Sequence, residues 1–301
     1  MDNLTSVASQ LTMRLKLACR SGTDAGITAR SPSSRQQSSS PHGRSCSHHR
    51  GSRDEPVLLM VGTPLPSEVE TRLEEEALAY ARANKTSIAR RLTDTARYLP
   101  ESDPVSIFMA GSPGAGKTEA SIELIDIFPD RPIIRIDPDE LRSEFASYVG
   151  NNAWVFQKAV SVLVDKIHDL ALDQKQSFLL DGTLSNFDRA KKNIERSLKK
   201  RRTVQILYVY QDPMLAWEFV QAREIAEGRR IRPEHFVEQY FAAREVVNRL
   251  KKELGKSISV DLLMKNNDNS NRFYRAGVDQ IDSHIPERVT KADLERRLGL
   301  A

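Results

Sequence analysis

Short apolar runs alternate with longer amphipathic segments over most of the chain after residue 60. Short runs rich in Val, Ile and Leu are typical of buried strands, and apolar residues that recur at helical spacing are typical of helices. Strands are predicted at 105–110, 132–136, 177–180, 203–210 and 257–264, with a short returning strand at Phe273 and Tyr274. Strands that alternate with helices indicate an α/β fold, a parallel sheet flanked by helices.

The amphipathic segments supply the predicted helices. The first covers 66–98, with a break expected at Asn84-Lys85-Thr86, and the last covers 290–298, opened by a capping box of Thr290 and Asp293. Between them, helices are predicted from Lys117, over 153–172, from Met214 and over 235–254. Gly228 and Pro233 predict that the helix from Met214 ends between them.

The start of the chain differs in composition. Between Ser21 and Arg53 it consists mostly of Ser, Arg, Gln, Gly and His, with little to bury, which predicts disorder. Three interpretations stay open: a transit-like peptide, a tail that contacts anions, or an upstream extension that is not translated, with Met60 as the start. The predicted organisation is an extension over 1–59, a helical arm over 60–100 and one domain over 101–301.

Composition narrows the class of protein. With 39% apolar and 29% charged residues, the chain has the composition of a soluble globular protein. Its net charge of +4 comes from residues 1–53, which contain eight Lys or Arg but only two acidic residues, Asp2 and Asp24. A membrane span, which needs about 18 apolar residues, is not predicted. The cysteines, Cys19 and Cys46, lie outside the predicted core, so a reducing, cytoplasmic compartment is expected. Basic patches with interleaved aromatic residues are missing, which argues against nucleic-acid binding.

The loop after the first strand fits the pattern G-x-x-x-x-G-K-[ST]. Strand, glycine-rich loop and helix follow in the order that a phosphate-binding loop (P-loop) requires. Backbone N–H groups of such a loop surround the phosphates of ATP or GTP, while its lysine reaches the β and γ oxygens and its Ser or Thr holds Mg²⁺. The predicted nucleotide-binding residues are Gly111, Ser112, Pro113, Gly114, Ala115, Gly116, Lys117 and Thr118.

Two carboxylates follow the second strand. Asp137 and Asp139 lie at its carboxyl end, where ligands of open α/β sheets collect. A carboxylate beside the γ-phosphate can orient an attacking hydroxyl and accept its proton. This role is predicted for Asp139, with Asp137 in reserve. The alternative is that Asp139 only caps a helix that begins at Glu140 or Leu141.

Further polar residues follow the later strands. Asp181 ends an apolar strand, which is the form of a Walker-B motif. The carboxylate of that motif lies near Mg²⁺ and contacts the ion through water.

Arg223 and Arg230 flank the predicted end of a helix, where a mobile segment could close on phosphates. Guanidinium groups there would neutralise charge on the transferring phosphoryl group. The alternative is a solvated basic turn.

Together these motifs resemble one family. GSPGAGKTEAS, IDPDELR, LLDGT and the later Arg-rich stretch, in this order, are similar to the zeta-toxin family of P-loop kinases over residues 104–275. Members of that family phosphorylate a sugar hydroxyl of UDP-N-acetylglucosamine. The resemblance implies that Lys117 and Thr118 bind nucleotide and magnesium, that Asp139 is the base, and that Arg223 and Arg230 act on the phosphoryl group.

The resemblance also implies a substrate site and a partner. It places Asp165, Asp181 and Thr183 against the sugar nucleotide, although Asp165 could equally be a solvated helix carboxylate. The family's usual partner is a small helical antitoxin that covers the nucleotide site. In this chain, residues 66–98 could restrain the kinase in cis, or could form a helix that merely packs on the sheet.

Two other functions stay open. One is a P-loop kinase for another hydroxyl, such as that of a nucleoside, an antibiotic or a nucleic-acid 5′ end. The other is an NTP-binding regulatory protein without phosphoryl transfer.

Overall fold

The computed structural model describes residues 67–228, 230–265, 272–286 and 289–300. These residues contain β1 Val105–Ala110, β2 Ile134–Ile136, β3 Phe178–Leu180, β4 Thr203–Tyr210, β5 Ser259–Lys265 and β6 Arg272–Arg275. The strands form one sheet in the order β2-β3-β1-β4-β5-β6, parallel except for β6, which returns antiparallel to β5. The predicted α/β fold, with helices on a mainly parallel sheet, is confirmed.

Seven α-helices lie within the described residues: α1 Glu68–Leu92, α2 Lys117–Asp126, α3 Gln157–Asp173, α4 Phe187–Lys199, α5 Pro213–Glu227, α6 Pro233–Leu254 and α7 Lys291–Arg297. Short 3₁₀ helices at Glu140–Glu144 and Ala153–Phe156 precede α3. Six of the seven were predicted. The helix α4 was not, and the predicted end of α5 is confirmed by Gly228, which caps that helix with a left-handed φ of 72°.

The strands bury both faces, as parallel strands covered on each side do. On one face, Phe108, Ala110 and Ile206 join the largest core cluster with buried residues of α1, α3, α4 and α6. On the other face, Ile107 and Met109 pack with buried residues of α2. The alternation of side chains along β1 therefore decides which helices each residue meets.

Helix α1 is continuous, so the predicted break at Asn84-Lys85-Thr86 is wrong. Asn84 donates its side-chain amide to the carbonyl of Tyr80 at 2.9 Å, within the helix. These three residues have modest helix propensity, but none of them lacks the backbone N–H as Pro does or has the backbone freedom of Gly. Packing against the core outweighs the small propensity cost.

The buried face of α1 belongs to the same core cluster as the sheet. Ala77, Ala81, Ile88 and Ala89 are at most 5% exposed, and their small side chains allow close approach to α3. Polar contacts at either end tie α1 to the segment before α3: Trp154 Nε1 donates to Glu70 Oε1 at 3.0 Å, and Arg91 Nη2 lies 2.6 Å from Glu144 Oε1. Helix α1 is thus packed in the core mainly through α3, whereas the prediction of a packed helix placed 66–98 on the sheet.

Several predictions lie outside the described residues. The main one is the extension over 1–59, which carries Cys19 and Cys46. The boundary predicted at residue 100 stays a prediction.

His168 on α3 is fully buried between the rings of Phe108 and Phe178. Arg196 Nη1 lies 3.3 Å from His168 Nδ1, so Nδ1 accepts and the ring is neutral. Burial, together with the positive charges of Arg196 and Arg202, lowers the pKa of His168 to about 3. In an unfolded chain the pKa of histidine is about 6.5.

Below about pH 6.5, the unfolded chain binds a proton at His168 that the folded protein does not bind. The free energy of unfolding therefore falls as the pH falls. Between pH 7 and pH 5 this group alone is expected to remove about 2 kcal/mol from the free energy of unfolding. Urea denaturation at both pH values measures the loss. His168→Asn should reduce the pH dependence. Equal pH dependence in the wild type and His168→Asn would contradict this assignment.

Candidate active site

The phosphate loop lies between β1 and α2, at the point where the sheet order reverses. β3 flanks β1 on one side and β4 on the other, so the crossovers diverge at the carboxyl end of β1 and leave a crevice there. Gly111 has φ 136°, and a Cβ at this position would lie 2.3 Å from the carbonyl oxygen of Val209. Gly114 has φ 72°, and its Cβ would lie 2.0 Å from the carbonyl oxygen of Ala216. Only glycine fits these two positions, so the loop can wrap an anion closely.

Lys117 is the first residue of α2 and its side chain turns back over the loop. Its Nζ donates to the carbonyl oxygen of Ser112 at 2.6 Å. Burial lowers the pKa of Lys117 to about 8, and the nearby carboxylates of Asp181 and Asp139 oppose that shift. The ammonium group is thus placed among carboxylates at the mouth of the loop. Thr118, next in the chain, lies in the first turn of α2.

The two aspartates after β2 have different contacts. Asp137 Oδ1 accepts from the backbone N–H of Asp139 at 2.7 Å, so Asp137 holds the turn that leads into the 3₁₀ helix Glu140–Glu144. Asp139 occupies the N-cap position of that helix but makes no side-chain cap hydrogen bond. Its carboxylate instead contacts Arg142 and lies 3.8 Å from Arg223 Nη2. The Asp137 carboxylate therefore holds the turn before the helix, and the Asp139 carboxylate, 41% exposed, faces arginines.

Three carboxylates, those of Asp137, Asp139 and Asp181, lie close together in this part of the site. Burial, together with the neighbouring carboxylates of Asp181 and Asp139, raises the pKa of Asp137 to about 6 against the opposing effect of Arg135. Carboxylates crowded in this way favour a bound cation.

Asp181 and Thr183 follow β3 and approach the phosphate loop. Asp181 is 5% exposed, and its Oδ2 accepts from Ser121 Oγ at 2.8 Å and from Arg135 Nη2 at 2.7 Å. The carbonyl oxygen of Thr183 accepts from the N–H of Gly111 at 3.2 Å, while its hydroxyl lies 3.0 Å from Ser185 Oγ. Asp181 is therefore linked to the helix of the phosphate loop, and Thr183 to the first residue of the loop.

The two predicted arginines have different surroundings. Arg223 on α5 lies 3.8 Å from the Asp139 carboxylate and 3.4 Å from Glu227. Arg230, beyond the end of α5, lies 3.7 Å from Glu224 and its side chain is 71% exposed. The structure thus brings Arg223 to Asp139, whereas Arg230, beyond the end of α5, is largely exposed.

Asp165 lies on α3 and faces α4, 3.6 Å from Arg189. Two further ion pairs join the same helices, Asp169 with Arg196 and Asp173 with Lys200. Asp165 therefore has the position of the first member of a ladder between two parallel helices, and it lines a cavity of about 720 Å³ between them.

Three residues at this site were not identified from the sequence: Ser121, Arg135 and Arg142. Arg135 had a usable signal, because a charged residue within the apolar run Ile133–Ile136 must find buried partners. Ser121 lies about one helical turn after Lys117, and Arg142 lies three residues after Asp139. Because Ser and Arg are ordinary residues of exposed helical positions, neither gave a signal in the sequence.

Within the part of the chain that the structure describes, no three His, Cys, Asp or Glu residues are grouped so that they alone could hold a metal ion.

None of the described helices combines the length and the apolar character that crossing a membrane would require.

Comparisons with known proteins add a family and a fold. A family model described as Zeta toxin matches residues 88–279, which is more than half of the chain. A comparison with curated protein sequences gives no match.

Among solved structures, one from the PezAT chromosomal toxin-antitoxin system of Streptococcus pneumoniae is 18% identical, with a TM-score of 0.50, over 78% of this chain and 94% of that chain. The crystal structure of AvrRxo1-ORF1:-ORF2 with ATP is 16% identical, with a TM-score of 0.46, over 69% of this chain and 67% of that chain. Shikimate kinase from Acinetobacter baumannii is 17% identical, with a TM-score of 0.33, over 56% of this chain and 88% of that chain. The likeness to the structure from the PezAT system supports the α/β fold.

Proposed function

Because the chain belongs to the zeta toxin family, we propose that it is a P-loop kinase that transfers the γ-phosphoryl group of ATP or GTP to a sugar hydroxyl of UDP-N-acetylglucosamine. The observation that carries the proposal is the meeting of three elements at the mouth of the phosphate loop. Lys117 lies at the loop, and Asp139 and Arg223 face each other across 3.8 Å beside it. An anion cradle, a base and an arginine in one place are what phosphoryl transfer to a hydroxyl needs.

The proposed mechanism assigns one role to each residue. The loop and Lys117 bind the β and γ phosphates and hold the phosphorus in line with the acceptor. Asp139 accepts the proton of the acceptor hydroxyl as its oxygen bonds to the γ-phosphorus, and the bond to the leaving nucleoside diphosphate breaks. Arg223 stabilises the charge on the transferring group, and Arg230 joins it when the segment after α5 closes.

Magnesium fits the residues present. Thr118 offers a hydroxyl and Asp181 a carboxylate beside crowded negative charge, and Mg²⁺ prefers such oxygen ligands together with phosphates. We propose that Thr118 holds the ion directly and Asp181 through water. When bound, the ion neutralises charge on the β and γ oxygens.

For the acceptor, we propose contacts from Asp181 and Thr183, which lie beside the phosphate loop. The ladder of ion pairs between α3 and α4 supports the structural interpretation of Asp165 over a role in substrate binding.

We also propose a toxin role with an antitoxin partner supplied by another chain. The family supports this, and so does the packing of α1 in the core, which argues against α1 as the removable inhibitor. UDP-sugars and nucleoside triphosphates as substrates would place the enzyme in the cytoplasm.

The test is a phosphorylation assay. Purified protein is incubated with Mg²⁺, ATP or GTP and a panel that contains UDP-N-acetylglucosamine, other UDP-sugars and nucleosides. We expect a mass gain of one phosphoryl group on UDP-N-acetylglucosamine, and none with Lys117→Met. Phosphorylation of another panel member would change the acceptor, and nucleotide binding without any phosphorylated product would favour the regulatory alternative.

A further inference from the structure

Arg135 is a charged residue within the edge strand β2, and its side chain is only 11% exposed. Every nitrogen of its guanidinium group has a partner. Nε donates to Ser121 Oγ at 2.9 Å, and Nη2 donates to Asp137 Oδ2 at 2.6 Å and to Asp181 Oδ2 at 2.7 Å. Nη1 contacts Glu140.

These partners come from three different parts of the site. Ser121 lies on α2, one turn after the phosphate loop. Asp137 ends β2 and accepts the backbone N–H of Asp139 through its other oxygen, at 2.7 Å. Asp181 ends β3, two residues before Thr183. The guanidinium group of Arg135 therefore joins α2, on the nucleotide side of the site, to the ends of β2 and β3. The proposed base follows β2, and the proposed acceptor contacts follow β3.

The charges explain why the group must be an arginine. Asp137 and Asp181 are at most 7% exposed, and two such carboxylates that share one site repel each other unless a cation lies between them. A guanidinium group presents its donors in a rigid fork and can bond several acceptors in one plane. Lysine would keep the charge, but it has one nitrogen on a flexible stem and could not hold all these partners at once.

We propose that Arg135 is a positioning residue for phosphoryl transfer. It fixes Asp137, and through Asp137 the backbone of Asp139, and it fixes Asp181 relative to the helix of the phosphate loop. It does not touch the nucleotide or the acceptor. The proposal rests on the proposed function for its assay, but the role itself concerns the geometry of the carboxylates.

The experiment compares Arg135→Lys with Arg131→Lys, a matched change at an exposed arginine just before the same strand. For each protein we would measure ATP affinity with a fluorescent ATP analogue, and kcat and KM with ATP and UDP-N-acetylglucosamine. We expect Arg135→Lys to lower kcat by about 10- to 100-fold, the scale of losing a hydrogen bond between charged groups, with ATP affinity within about threefold of the wild type. Arg131→Lys should match the wild type throughout.

A purely structural role predicts a different result. It would lower the thermal midpoint and the folded fraction, and kcat and nucleotide-binding capacity would fall together in proportion. As a second measurement, Arg135→Ala is assayed with and without added guanidinium ion at low millimolar concentration, and we expect guanidinium to restore part of kcat. The proposal is overturned if folded Arg135→Lys keeps kcat within about threefold of the wild type, or if losses follow the folded fraction and guanidinium restores nothing.

Failure of the proposed function can be told apart from failure of this inference. If the wild type binds ATP but does not phosphorylate UDP-N-acetylglucosamine, the acceptor is wrong, and the same variants are compared by the rate at which they hydrolyse ATP to ADP. A loss in Arg135→Lys but not in Arg131→Lys would still support the positioning role, and equal rates would overturn it.

Discussion

Asp139→Asn is expected to lower kcat by about 10²- to 10⁴-fold, the contribution of a general base, while ATP affinity stays within about threefold of the wild type. The amide keeps the size of the side chain but cannot accept the proton of an attacking hydroxyl. Because Asp139 makes no side-chain cap hydrogen bond, the fold should tolerate the change. Steady-state kinetics with UDP-N-acetylglucosamine and a separate titration with an ATP analogue measure the two effects.

Asp137→Asn is the matched control, two residues away at the end of the same strand. Asp137 bonds the backbone N–H of Asp139 and the guanidinium group of Arg135, so this variant should lose stability and some kcat through misplacement of Asp139. Per folded molecule, Asp137→Asn should lose less kcat than Asp139→Asn. A reversed order would transfer the role of base to Asp137, and unchanged kcat in both variants would contradict phosphoryl transfer through either carboxylate.

The sequence predicted most of the fold because its strands are separate apolar runs and its helices carry clear boundary signals. Asp212 and Pro213 begin α5 and Gly228 ends it, as their cap chemistry predicts. The helix α4 was missed although Phe187, Ala190, Ile194 and Leu198 recur at helical spacing and lie in or against the core, because the residues between them are mostly charged and the segment resembles a solvated stretch. Asn186, which accepts from the N–H of Arg189, was the available signal for its start.

The proximity of the candidate residues was predictable where it follows from their place at the end of a strand. Lys117, Asp139, Asp181 and Thr183 come together because the carboxyl ends of parallel strands share one edge of the sheet. The partners of these residues were not predictable. Whether Asp139 meets Arg142 or Arg223, and whether Asp181 meets Arg135, depends on side-chain directions across elements far apart in sequence.

Arg223→Ala is expected to lower kcat by about 10³-fold or more, as loss of an arginine that stabilises the transferring phosphoryl group does. In the structure, Arg223 lies 3.8 Å from the Asp139 carboxylate, and this contact is the reason that the proposed mechanism assigns it to the γ-phosphoryl group. Arg223→Lys should recover only part of the loss, because lysine cannot bond two phosphoryl oxygens in one plane. Rates measured with saturating ATP and UDP-N-acetylglucosamine test both variants.

The interaction of Arg223 with Asp139 also predicts how the changes combine. Residues that act as a unit in one transition state are not additive, so the double variant Asp139→Asn/Arg223→Ala should lose much less than the product of the two single losses. Arg82→Ala, an exposed arginine on α1, controls for loss of charge alone and should match the wild type. Two outcomes would count against the assignment: full additivity would separate the two residues in the mechanism, and an unchanged kcat in Arg223→Ala would leave the 3.8 Å pair as a surface contact without a catalytic role.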